Sequence, residues 1–87
     1  MTPLKVKNKY EQIMAALGIA KDRYGNDERL KRFEAFVKEG FDLMNRAVVR
    51  LESVEPDEYK KAKTYAQDMW KQFCGYHKEI MSVIKNG

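Results

Sequence analysis

Eighty-seven residues with a formal charge of +4, 44% of them hydrophobic and 34% charged, are enough for one small core and not for two. That balance is too apolar for a disordered chain and too charged for a membrane span. The first residues have no apolar stretch of a signal peptide, and a single cysteine, Cys74, has no intramolecular disulfide partner, so the chain reads as a cytoplasmic protein.

Residues 1–8 read as an N-terminal tail. From about residue 9 to 24, Tyr10, Ile13, Met14, Leu17, Ala20 and Tyr24 recur at steps of three and four, the spacing of one helical face. Asn8 with Glu11 has the form of a capping box. Gly25 suits the left-handed turn past a helix end, and Asn26 either follows it or caps what comes next.

The second helix, about residues 27–54, opens on the acidic pair Asp27 and Glu28, which favours a helix N-terminus. Leu30, Val37, Met44 and Leu51 make one heptad column and Phe33, Gly40, Ala47 and Val54 the other, with Phe36, Phe41, Leu43 and Val48 widening the apolar arc. Gly40 costs about 1 kcal/mol against alanine inside a helix, so the expected return is close approach of a neighbouring backbone.

Pro56, with Asp57 and Glu58 behind it, reads as the first turn of a third helix, about residues 56–85. Tyr59, Ala62, Ala66, Met69, Phe73, Tyr76, Ile80 and Val83 fill its core columns, and Trp70, His77 and Ile84 form a row one position over. Lys85-Asn86-Gly87 closes it. The expectation is an all-α fold over residues 1–87: a three-helix bundle in which a short N-terminal helix packs on a long antiparallel helical hairpin.

At 1.5 Å per residue the second and third helices run roughly 40 and 45 Å, beyond the diameter of about 30 Å of a compact globule of this length. A first helix of roughly 25 Å covers only half of that hairpin. The far half carries Leu43, Val48, Val49, Leu51, Val54, Tyr59, Tyr65 and Met69, to be covered by an extended Pro3–Val6 segment, a second copy, or a protein partner. Phe36, Leu43, Val49, Tyr65 and Trp70 are the candidate protein contacts, because aromatic and apolar residues outside the innermost seam dominate interfaces. The plainer reading for each, Trp70 above all, is core packing.

The bases offer an alternative, a small RNA- or DNA-binding subunit. Arg29, Lys31 and Arg32 begin the second helix, and Lys71, Lys78 and Lys85 share one outward heptad column of the third, with Tyr10, Tyr65 or Tyr76 to stack on unpaired bases. Lys5, Lys7 and Lys9 make an acid-free tail, and Lys60, Lys61 and Lys63 start the third helix. Against this stands the plainer reading of a solvated face, since Lys38, Glu39, Asp42 and Arg46 mix the signs. Glu52, Glu55, Asp57 and Glu58 make an acidic corner that could neutralise the lysine tail.

Catalytic and metal chemistry lack a motif. Cys74 and His77 stand three apart on a helix, close enough for two metal ligands or a thiolate and its base, but no other Cys or His exists in the chain to complete a zinc set. The carboxylates Glu34 and Glu39, Glu52 and Glu55, and Asp57 and Glu58 fall on solvated faces or caps. Nor is there a glycine-rich phosphate loop, a nucleophile elbow or an HExxH. No cofactor, metal or small-molecule substrate is expected, and no membrane role, because the apolar faces are needed for the core. The sequence thus reads as a non-enzymatic protein-interaction module: an adaptor, a small complex subunit or a stoichiometric inhibitor of the kind compact viral or mobile genomes encode.

Overall fold

The computed structural model describes residues 2–25 and 27–86. They form three α-helices and, among the described residues, no strand: α1 (Pro3–Tyr24), α2 (Glu28–Ser53) and α3 (Tyr59–Asn86). Each helix packs on both others. The molecule is a rod of 48 × 18 × 18 Å with a radius of gyration of 14.7 Å, against about 12 Å for a compact domain of this length.

The largest departure from the sequence reading is at the N-terminus. Residues 3–8 are helix rather than tail, and the Asn8–Glu11 pair sits inside α1 instead of capping it. Thr2 is the cap: its backbone is extended, its Oγ1 accepts from the Lys5 amide at 3.3 Å, and its carbonyl accepts from the Val6 amide at 3.2 Å. Pro3 follows at the first helical position, where its missing N–H costs nothing and its fixed φ suits the helix. Burial drives the extension. Val6, Ile13 and Ala20, one heptad apart, are each 0% exposed, so the extra turns add a side chain to the core rather than fray.

At the other end of α1, Gly25 holds φ 71° and ψ −142°, a conformation strained for any residue with a Cβ. Asp27 then caps α2, accepting from the Arg29 amide at 2.7 Å. The alternative cap, Asn26, and the closing residue Gly87 lie outside the described residues. The third helix starts three residues later than expected. Pro56, Asp57 and Glu58 make a turn, with the Glu58 amide donating to the Glu55 carbonyl at 2.9 Å, and the Glu58 carbonyl then receives the Ala62 amide at 3.1 Å. Asp57 and Glu58 therefore precede α3, whose first turn has no acidic residue.

The contacts fix the helix directions. Leu30 shares a core cluster with Ile80, and the Phe33 and Tyr76 rings meet edge to face with centroids 5.5 Å apart. Leu51 and Tyr59 border one cleft farther along, so residue numbers rise on α2 as they fall on α3. Tyr10 stands edge-on to Phe41 with centroids 4.1 Å apart, and Lys21 pairs with Glu34, which makes α1 antiparallel to α2. Arg23 and Tyr24 donate to the carbonyls of Ile84 and Val83 at 2.6 and 3.2 Å, so α1 runs parallel to α3 and caps its last turn.

The larger core cluster joins Val6 and Ile13 of α1, Val37, Met44 and Val48 of α2, and Phe73 of α3. Gly40 makes room for Phe73: a Cβ built at residue 40 would lie 3.3 Å from the Phe73 ring and 3.5 Å from that of Tyr76. The sequence expectation of close approach holds, with an aromatic side chain in place of a backbone. A Cβ at Gly18, also inside a helix, would meet nothing within 4 Å. Gly18→Ala should therefore raise the unfolding free energy by about 0.5–1 kcal/mol. Gly40→Ala should gain distinctly less, because its methyl presses a ring that is 1% exposed, and Gly40→Val should lose about 1–3 kcal/mol. Urea melts followed by circular dichroism rank the three.

Candidate interaction surfaces

Three packed helices leave three outward grooves, and the expected contact residues fall in different ones. Phe36 (52% exposed), Leu43 (half-buried) and Tyr65 (50% exposed) lie along the α2/α3 groove, on the side away from α1. There a cleft of about 150 Å³ is lined by Phe36, Glu39, Gly40, Leu43, Met69, Gln72, Phe73 and Tyr76. A second cleft of about 210 Å³, lined by Leu43, Arg46, Ala47, Arg50 and Tyr65, shares Leu43 with it. Small residues, Gly40 and Ala47, make the floor one heptad apart, and aromatic side chains make the walls.

Val49 and Trp70 do not join them. At 100° per residue Val49 points about 180° from Gly40 around α2, and it is an exposed single side chain beside charged neighbours. Trp70 sits on the opposite flank of α3, half-buried between α1 and α3 with the Lys5 ammonium 5.3 Å from its ring centroid. Of the residues expected to need cover, Val48 is 2% exposed because α1 reaches it through Val6. Val49, Tyr59 and Tyr65 stay exposed.

Charge is distributed unevenly over the faces. The ion pairs among the described residues all involve α2 or its cap: Arg29 with Asp27, Lys31 with Glu28, Lys38 and Lys21 with Glu34, and Arg46 with Asp42. Two of the bases expected to meet nucleic acid, Arg29 and Lys31, are thus already matched by neighbouring carboxylates, and Arg32 is exposed beside them. Lys71, Lys78 and Lys85 are exposed on α3, outside any ion pair among the described residues. The acidic corner forms no such pair with Lys5, Lys7 or Lys9 either.

Lys5, Lys9 and Lys63, noted in the sequence as basic, and Tyr59, expected to need cover, edge two clefts between α1 and α3. One, of about 430 Å³, is lined by Thr2, Leu4, Lys5, Asn8, Lys9, Gln12, Trp70 and Cys74. The other, of about 280 Å³, is lined by Lys5, Leu51, Tyr59, Lys63, Ala66, Gln67 and Trp70. Their grouping became visible only once residues 3–8 were known to be helical, since Lys5 and Lys9 then share a face.

Cys74 and His77 are half-buried, and no group of three or more metal-ligating side chains occurs among the described residues. Among those residues no helix is long and apolar enough to cross a membrane. The chain matches no protein-family model, no curated protein and no solved structure.

Hydrogen bonds from the Arg29 side chain and amide hold the Asp27 carboxyl below its ordinary pKa. A carboxyl lowered on folding stabilises the folded state above its unfolded value, about 3.9, and that contribution is lost as the pH falls through the lower folded value. Asp27→Asn keeps a cap but not the charge. Its stability deficit against the parent should be full above about pH 4 and shrink toward zero as the pH drops below that, in thermal melts across an acid series.

Proposed function

We propose that the protein is a non-enzymatic protein-interaction module whose α2/α3 groove receives an amphipathic helix from a partner protein. The observation that carries this reading is the continuous run of Phe36, Leu43 and Tyr65 over a floor of Gly40 and Ala47 on the side that α1 leaves open. Gly40 and Ala47 stand seven residues apart, about 10.5 Å along the helix axis. Phe36 and Tyr65 stand exposed along that stretch, and a helix laid against them would complete a four-helix arrangement. The rim mixes signs, with Arg46 and Arg50 near one cleft and Glu39 at the other, as suits orientation of a partner rather than attraction of a polyanion. Such a module serves as an adaptor, a complex subunit or an inhibitor that works by occupying a surface.

Self-association through the same groove is the competing occupant, and light scattering separates the two: a monomer at working concentration leaves the groove open for another protein. The groove itself is tested by a crosslinking residue placed at Phe36, Tyr65 or Val49 in the native cytoplasm. Adducts with one protein from positions 36 and 65 and none from 49 are expected. Phe36→Asp combined with Tyr65→Asp should keep the melting temperature within a few degrees and weaken capture by about 100-fold, the scale of losing an interface anchor. Equal crosslinking from Val49, or undiminished capture by the double variant, would remove the groove from the interaction.

A further inference from the structure

The two clefts between α1 and α3 meet at Lys5 and Trp70, which line both. Together they present Lys5, Lys9 and Lys63 and no carboxylate, while the ion pairs among the described residues gather on and around α2. Asp68 and Glu79, the acids of α3, stand about 160° and 180° from Trp70 around the helix at 100° per residue. Glu11 on α1 lies about 160° from Lys9 by the same count. Because α1 and α3 are parallel, their N-terminal ends lie toward the same pole; the first turn of α1 contains no acid, while Asp57 and Glu58 directly precede α3.

We propose that this joined cleft binds single-stranded nucleic acid, with unpaired bases stacking on Tyr59 and Trp70 and phosphates met by Lys5, Lys9 and Lys63, then by Lys71 and Lys78 along α3. The lining decides the class of ligand. A recessed, half-buried indole can be reached by a base turned out of a strand and not by one stacked in a duplex. Asn8, Gln12 and Gln67 supply amides suited to base edges, whereas an acidic amphipathic helix would call for the aliphatic floor found in the α2/α3 groove.

Binding requires an exchange at Trp70. The Lys5 ammonium now lies over the ring; it moves to a phosphate as a base takes its place, which is favourable because base stacking outweighs a cation–π contact in a half-exposed setting. The strand also has a direction to avoid. Glu52, Glu55, Asp57 and Glu58 crowd the turn beyond Tyr59, so the chain of phosphates runs from the Lys63 end toward Lys78 and Lys85.

Trp70 is the single tryptophan in the sequence, so its fluorescence reports on the site directly. Titration with a twelve-nucleotide oligo-dT in 50 mM salt should quench it, and the affinity should fall steeply by 200 mM. Lys71→Gln with Lys78→Gln, folded by circular dichroism, should weaken binding at least about tenfold and reduce the log–log salt slope by about 1.4. Lys38→Gln, which removes a base already paired with Glu34, should leave both unchanged and serves as the control. The proposal is overturned by an absence of quenching at 50 mM salt, by polyglutamate quenching as well as oligo-dT, by dTMP alone binding as tightly as the strand, or by Lys38→Gln costing as much as the double variant.

Discussion

Phe73 packs against α2 where residue 40 has no Cβ, and this close contact helps set the arrangement of the bundle. Of the buried residues in the larger core cluster α3 supplies Phe73 alone, alongside Val37, Met44 and Val48 of α2 and Val6 and Ile13 of α1. Seating one ring at this point fixes both the register of α2 against α3 and the rotation of α3 about its axis. With that rotation set, Tyr65 and Met69 turn to one flank and Trp70 and Cys74 to the other. The two grooves are therefore different surfaces because of one packing choice at the centre.

The same rotation sorts the charge. Lys31, Lys38 and Arg46 of α2 find carboxylates about one turn away, as is usual on an exposed helix, where each pair contributes only about 0.3–0.5 kcal/mol. Bases on the facing flanks of α1 and α3 stand opposite other bases or amides. A modest total of +4 thus conceals one neutralised face and one cationic one, and the total is a poor guide to either. Apolar side chains divide in a complementary way, with aromatic rings over small residues between α2 and α3, and an indole among lysines and amides between α1 and α3.

Much of this was legible in the sequence, because the middle of each heptad column is buried, although Leu51 is only half-buried, Val54 lies past the end of α2, and Tyr59 and Val83 at the ends of α3 are exposed. Leu30, Val37 and Met44 are buried as their spacing demands, and Trp70, His77 and Ile84 are half-buried as a flanking row should be. The N-terminus was misread because two cap signals compete there, and Asn8–Glu11 looks better by pattern than Thr2-Pro3. Burial of Val6 decides between them, and a partner on another helix is invisible to a local pattern. The start of α3 shifted for a similar reason, since Pro56 is as compatible with a turn as with a first helical turn. Grouping the surface residues failed where exposure alone was the criterion: Val49 is as exposed as Phe36 yet faces the other way, and Lys5 and Lys9 gained a common direction only when their segment became helical.

An even number of antiparallel steps has a further effect. Lys5 lies level with Trp70, and Asn86 is sixteen residues farther along a helix running the same way, about 24 Å by helix rise, so the two ends of the described chain stand apart by about half the 48 Å length of the rod. Anything tethered to one end is held away from anything tethered to the other by a stiff strut instead of a slack linker.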